Sequence, residues 1–368
     1  MTALLTHHTD AAADDIPTAG ALDRETILRW LHEEDPARLE VLYAAADRVR
    51  RAHVGDAVHL RGLVEISNHC VRNCAYCGLR LEHRELPRYR MSEDEILACA
   101  HEAVEYGYGT LVLQAGEDYG LTRAFIARVV ERIKTETPLA VTLSLGEREQ
   151  ADLVAWRKAG ADRYLLRFET SDPQLYARIH PPRAGVASDR VMMLQMLRLL
   201  GYEIGSGVMI GIPGQSYRSL AEDLLLFRAL DLDMIGVGPY LPHPATPLGR
   251  TPALLPPRMQ VPNTETMTYK VLALTRLIRP DANIPSTTAL ATLNRASGRE
   301  LGLARGANVV MPNLTPVRYR AMYEIYPAKA CIGETADACR MCLSARIRAM
   351  GRTIGQGPGG RAATRAVR

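Results

Sequence analysis

Three cysteines and one tyrosine stand within the eight residues Cys70-Val71-Arg72-Asn73-Cys74-Ala75-Tyr76-Cys77. Three thiolates at this spacing, with no fourth nearby, can each take one iron of a four-iron four-sulfur cluster and leave the last iron open. An open iron does chemistry rather than merely storing an electron. A structural zinc site normally takes four ligands from Cys and His. His69 is adjacent, but a neighbour in sequence rarely shares a tetrahedron with Cys70. A disulfide framework does not suit a long chain with seven cysteines, and packing alone does not gather thiols this closely.

Such a loop needs a rigid element behind it. Residues 60–67 read as a buried strand ending just before Cys70, which puts the loop at that strand's C-terminal end. Upstream, 24–34 and 38–54 carry apolar residues at helical spacing, with Asp35-Pro36 as the break. Downstream the patterns alternate. Ser92-x-x-Glu95 is a capping box opening a helix to about Tyr106. Strands are expected at 110–114, 140–145, 163–168, 203–210, 234–238, 283–286 and 308–311, and further helices at 122–134, 148–158, 188–200, 219–230, 264–278 and 299–305. Eight alternations predict an α/β fold, a complete (β/α)8 TIM-type barrel with N-terminal helices and a C-terminal extension. The expected division is a disordered leader over 1–22, helices over 23–58, the barrel over 59–315, and an extension with a mobile tail over 316–368.

A barrel of this kind places functional groups just after its strands. Ala115-Gly116-Glu117-Asp118, Glu169-Thr170, Gly211-Ile212-Pro213-Gly214-Gln215, Pro242-His243 and Thr287-Thr288 all fall there. Arg167 sits within an apolar strand end, where a buried guanidinium needs an anion. The Pro-rich stretch 242–262 reads as a lid or a linker. Cys99, alone on an expected helix, reads as a small core residue.

Composition narrows the class. The 368 residues are 47% hydrophobic and 23% charged, with a net charge of +4, an ordinary globular balance. No Lys/Arg block marks a nucleic-acid stripe, and no apolar run is long enough to span a membrane. The glycine-rich run 355–360 reads as part of a mobile end. The first 21 residues lack the basic and apolar regions of an export signal, and an oxygen-sensitive cluster suits a reducing cytoplasm.

The Cys-x3-Cys-x2-Cys spacing with an aromatic before the third cysteine resembles the signature of radical S-adenosylmethionine enzymes. Further segments make the likeness narrower: 113–118, 163–170, 211–215, Gly238-Pro239-Tyr240-Leu241-Pro242-His243-Pro244, Ile284-Pro285-Ser286-Thr287-Thr288 and 306–313 resemble the HydE-type maturases of iron-iron hydrogenase. Biotin synthase and methylornithine synthase share the barrel and cluster loop and match these segments less well.

The resemblance implies a 4Fe-4S cluster on Cys70, Cys74 and Cys77, and S-adenosylmethionine held by Tyr76, Gly116, Glu117, Ser144, Arg167, Glu169 and Arg190. It implies a substrate cavity lined by Arg61, Met234, Tyr240, Thr287 and Thr288, with Tyr323 and Tyr326 in catalytic positions. Cys331, Cys339 and Cys342 match a spacing that holds an accessory cluster, 2Fe-2S or 4Fe-4S, in part of the family, with zinc plus Asp337 or water as the rival. The implied substrate is a small iron complex with carbon monoxide and cyanide ligands on a cysteine. The implied partners are a HydG-type donor, a HydF-type scaffold GTPase and an electron donor such as ferredoxin or flavodoxin. Bland readings compete: Arg190 as a solvated helix charge, Thr287 as a strand residue, Met234 and Tyr240 as barrel packing. A radical enzyme with an organic substrate, and a non-catalytic iron-sulfur carrier, are the alternatives.

Overall fold

The computed structural model describes residues 19–182, 188–252, 254–330, 332–333 and 335–361, apart from the side chains of Ala338 and Cys339. Strands β1 (Ala57–Ser67), β2 (Thr110–Ala115), β3 (Ala140–Ser144), β4 (Arg163–Leu165), β5 (Glu203–Ile210), β6 (Met234–Pro239) and β7 (Val309–Val310) form a parallel sheet in the order β6-β5-β4-β3-β2-β1-β7. Residues 283–285 close the ring between β6 and β7. They do so by isolated parallel bridges, Met234 with Asn283 and Pro285 with Val309, and by backbone bonds such as Asn283 N to Asp233 O at 2.9 Å and Ser286 N to Val309 O at 3.0 Å. The complete barrel expected from the alternation is thus present. Its seventh staves are single bridges because Pro285 has no N–H to donate to a ladder.

Helices follow the strands and cover the outside. Their ranges are α1 (Arg24–His32), α2 (Pro36–Val54), α3 (Glu93–Glu105), α4 (Arg123–Glu136), α5 (Gln150–Lys158), α6 (Pro173–Ile179), α7 (Arg190–Leu199), α8 (Tyr217–Ala229), α9 (Glu265–Ile278), α10 (Thr288–Leu293), α11 (Gly298–Ala304), α12 (Val317–Arg320) and α13 (Ala336–Ala349). The Ser92–Glu95 capping box is formed in both directions. β1 is buried over 60–67, as a strand covered on both faces is, and the charged Arg61 and Glu65 within it face the lumen. Four short or late helices, α6, α10, α12 and α13, were not expected. The Asp172 cap and Pro173 at the first helical position were the legible signal for α6.

The run 355–360, expected as part of a mobile end, is instead built into the barrel floor. Thr353–Ile354 forms β8, which pairs with Ala57–Val58 at the start of β1. Arg61 Nη2 and Asn283 Nδ2 donate to Gly359 O at 3.0 and 3.1 Å, and Thr110 Oγ1 and Arg163 Nη2 donate to Pro358 O at 2.8 and 3.0 Å. A Cβ at Gly355 or at Gly359 would lie 2.5 Å from the His59 ring, so glycine is what lets the tail approach. Of the expected leader, 19–22 is described: Gly20 N bonds Leu277 O and Leu22 is buried, while 1–18 lies outside the described residues. Among the described residues no helix is long and apolar enough to cross a membrane.

Candidate active site

The three-cysteine loop follows β1 at the C-terminal face. It is pinned from several elements: Val71 N donates to Glu117 O, Ala75 N to Ile179 O and Gly78 N to Ile325 O at 3.0, 2.7 and 3.1 Å. Arg88 clamps both shoulders of the loop, reaching Asn68 O and Leu79 O with Nη1 at 2.5 and 2.8 Å, and Arg80 O and His83 O with Nη2 at 2.8 and 3.2 Å. Gly116 N donates to Ser67 O at 3.2 Å, and a Cβ there would meet His69 O at 2.2 Å and Cys70 Cβ at 2.9 Å. The position admits no side chain.

Burial raises the thiol pKa values of Cys70, Cys74 and Cys77, that of Cys77 to about 12. Metal binding at these thiols therefore displaces protons. Among the described residues no three His, Cys, Asp or Glu side chains gather on one point as a single ion requires; the thiolates of a cluster each take a different iron.

Behind the loop lies a buried ring of charges. Arg72, between the first two cysteines, donates Nε to Glu117 Oε1 at 2.7 Å, and its Nη2 lies 2.8 Å from Glu147 Oε2 as an ion pair. Glu147 also accepts from Ser188 Oγ at 2.7 Å and Arg190 Nε at 2.9 Å. Arg190 reaches on to Arg167 O at 2.6 Å and His180 Nε2 at 2.5 Å. Burial, with the charges of Arg190 and Arg72, pushes His180 down to about 3, so its ring is a neutral acceptor. Arg190 is accordingly no solvated helix charge. Glu117, assigned to the cofactor by resemblance, spends its carboxylate on Arg72, Tyr119 Oη and Glu147 N. Sequence reading passed over Arg72, Glu147 and His180. Of these, Arg72 alone carried a signal, an arginine inside the cysteine motif.

Glu169 lies where β4 gives way. It is 5% exposed and has φ +65, a left-handed backbone unusual outside glycine. β4 ends at Leu165 and not at Phe168 because, between the Leu165–Gly205 and Glu169–Val208 pairings, its chain holds one residue more than β5; Ser206 Oγ fills the gap, donating to Leu166 O at 2.9 Å and accepting from Phe168 N at 3.2 Å. Its Oε2 accepts no hydrogen bond, although the Arg167 guanidinium lies 3.2 Å away. Tyr76 is half-buried and packs with Ala75, Leu175, Ile179, Met209, Ile212, Tyr240 and Leu248. Tyr240, expected on the substrate cavity, is thus beside the cluster loop instead, its buried hydroxyl unpartnered. Tyr240 follows the last residue of β6, its N still donating to Ile210 O at 2.8 Å, and its ring packs in the cluster that holds Tyr76.

Below the loop the lumen holds a cavity of about 200 Å³. Arg61, Met234, Thr287, Thr288 and Tyr326 line it, together with Ser144 and Arg167. Tyr323 stands behind the wall and accepts from Gln114 Nε2 at 3.3 Å. Thr287 Oγ1 caps α10 by accepting from Leu290 N at 3.3 Å. The lining also includes Glu65, Gln114, Arg299 and Lys329, which sequence reading passed over. Lys329 Nζ pairs with Glu65, and Asn313 Nδ2 donates to the other carboxylate oxygen at 3.1 Å. Arg61 Nε and Thr142 Oγ1 are buried without partners on this lining. Of the second cysteine group, Cys331 and the side chain of Cys339 lie outside the described residues, and Cys342 is exposed on α13.

Barrel and loop together define a radical S-adenosylmethionine enzyme, and the sequence model of the radical SAM superfamily matches residues 64–227. The chain is 44% identical over 338 residues to the [FeFe] hydrogenase maturase subunit HydE of Thermotoga maritima, covering 92% of this chain and 93% of that one. It is 29% identical to 3-methylornithine synthase of Methanosarcina acetivorans, over 83% and 84% of the two chains. The crystal structure of methylornithine synthase superposes with a TM-score of 0.77 at 25% identity, over 94% of this chain and 96% of that one. The chain belongs to the HydE-type hydrogenase maturases of the radical SAM superfamily. Membership implies a four-iron four-sulfur cluster and S-adenosylmethionine. The residues fit them: three thiols at the barrel mouth, a glycine approach at 116, and a buried carboxylate oxygen on Glu169 that accepts no hydrogen bond.

Proposed function

We propose that the substrate is a cysteine-bound Fe(CO)2(CN) complex, transformed at its sulfur into a precursor of the diiron subcluster. When bound, the cluster on Cys70, Cys74 and Cys77 with S-adenosylmethionine supplies a 5′-deoxyadenosyl radical. Glu169 takes the ribose hydroxyls of the cofactor and Arg190, held by Glu147, the methionine carboxylate; Gly116 lets the backbone approach the methionine amino group, with Tyr76 and Ser144 alongside. Arg61, Met234, Thr287 and Thr288 hold the complex, and Tyr326, backed by Tyr323, hydrogen-bonds it during turnover.

The observation that carries this reading is the charge of the cavity. Arg61, Arg167, Arg299 and Lys329 line it with Glu65 as the one lining carboxylate, and Glu169 faces Arg167 from beside it. An enclosed excess of positive charge favours a small anion. A HydG-type donor delivering the complex, a HydF-type scaffold receiving the product, a ferredoxin or flavodoxin as reductant and a cytoplasmic setting complete the proposal. An accessory cluster at Cys331, Cys339 and Cys342 is kept outside the catalytic role.

The test supplies the reconstituted enzyme with S-adenosylmethionine, a reductant and the iron complex. Consumption of the complex with formation of an adenosylated sulfur species is expected. The likeness in fold to methylornithine synthase favours one other reading. An untouched complex, with an amino acid such as lysine rearranged instead, would put the chain in the organic-substrate branch.

A further inference from the structure

Asp223 sits in the middle of α8 at 0% exposure, and among the described residues no ion pair reaches it. A buried carboxylate without a counter-charge is costly, and such groups persist where they hold something in place. Asp223 Oδ1 accepts twice from one residue, from Ser171 N at 2.5 Å and from Ser171 Oγ at 2.6 Å, and Oδ2 has no partner. Ser171 is the second residue after Glu169. Between them Thr170 N turns back to Phe168 O at 2.8 Å, and Thr170 Oγ1 accepts from Asp172 N at 3.2 Å. Upstream, Glu169 N is tied to Gly207 O at 3.1 Å. The left-handed Glu169 is therefore fastened to β5 on one side and to α8 on the other. A residue with φ +65 and a side chain beyond Cβ returns to the ordinary basins unless its surroundings prevent it.

We propose that Asp223 is a positioning residue for S-adenosylmethionine: by gripping Ser171 it locks Glu169 in the left-handed conformation that aims its carboxylate into the barrel mouth. This rests on the assignment of Glu169 to the cofactor ribose. Asp223 itself is not on the lining of the lumen cavity, and its hydrogen bonds come from Ser171. Its effect is therefore on affinity, through Glu169, and not on the bond-breaking step. Asn preserves the Oδ1 acceptor and the shape of the side chain, whereas Ala removes both bonds.

The experiment measures S-adenosylmethionine affinity, and reductive cleavage at saturating cofactor, in anaerobically reconstituted full-length enzyme. Asp223→Ala is expected to weaken affinity roughly tenfold with the saturated rate within about twofold, Asp223→Asn to stay within about twofold on both, and Ser171→Ala to weaken affinity about threefold. In a Glu169→Ala background, Asp223→Ala should add nothing further. Unchanged affinity in Asp223→Ala and Ser171→Ala, or a full additional loss in the Glu169→Ala background, overturns the proposal. If Asp223→Ala fails to fold, the Ser171→Ala cycle with Glu169→Ala decides alone. Glu169→Ala with wild-type affinity would instead sink the ribose assignment, a result separable from the others.

Discussion

The barrel mouth and the lumen beneath it differ in how their charges are balanced. At the mouth, opposite charges meet in equal number: Arg72 pairs with Glu117 and Glu147, and Arg190 with Glu147. In the lumen, Arg61, Arg167, Arg299 and Lys329 share the lining with one carboxylate, Glu65. Both regions keep buried atoms without hydrogen-bond partners, Glu169 Oε2 at the mouth and Arg61 Nε in the lumen. A balanced buried set holds one geometry through every turnover. An unbalanced one favours whatever anion restores the balance.

The sharpest way to break the comparison is to remove the mouth's reason for being rigid. Changing Cys70, Cys74 and Cys77 together to Ala should abolish S-adenosylmethionine cleavage, while the Cys331, Cys339 and Cys342 triple variant keeps it; iron counts on both report what the second group binds. Arg190→Ala comes next, with an expected loss of roughly tenfold to a hundredfold in cofactor affinity, because one charge-assisted bond is removed and Glu147 is left facing Arg72 alone. Titration calorimetry reads it, and wild-type affinity would mean that the ring serves folding only.

Changes in the lumen should fall on the substrate and spare the cofactor. Tyr326→Phe is expected to slow turnover of the iron complex by about tenfold while cleavage of S-adenosylmethionine alone shifts by less than about twofold. Equal losses in both would erase the distinction between the two regions. The smallest effect concerns Asp223, whose pKa burial raises from 3.8 to about 7, against the lowering by its Ser171 bonds. The folded state then holds a proton that the unfolded state has released, so this group's contribution to stability is present below about pH 4 and lost as pH rises towards 7. Asp223→Asn removes that dependence. Its melting temperature should exceed that of the wild type by a few degrees at pH 8, about 3 °C, and the gap should narrow at pH 5.

Much of the fold was legible because alternating patterns of period 2 and 3.6 carry through the chain, and the Ser92 capping box and Asp35-Pro36 break bounded elements where expected. The placement of Thr287 and Thr288 on the cavity followed from the rule that barrel chemistry lies beyond strand ends, whereas Met234, which begins β6, and Tyr326, which follows no strand, came from the resemblance alone. Glu147 was illegible. It belongs to no motif, and its meaning comes from Arg72 and Arg190, distant in sequence and adjacent only after folding. Tyr240 was misplaced for a related reason: a residue just past a strand can turn inward or over the rim, and periodicity does not say which. The glycine-rich run misled because its composition is that of a loose linker, whereas its glycines serve close approach to His59.

That run also bears on how the molecule assembles. Arg61 and Gly359 meet across a sequence separation of 298 residues, and the entropy of closing a loop grows with its length. Pairings this distant are rewarded only once the intervening staves stand, so the floor is the natural last step of folding. The tail then serves as a latch for the whole ring, and its resistance to a protease reports closure of a barrel whose mouth lies at the other end.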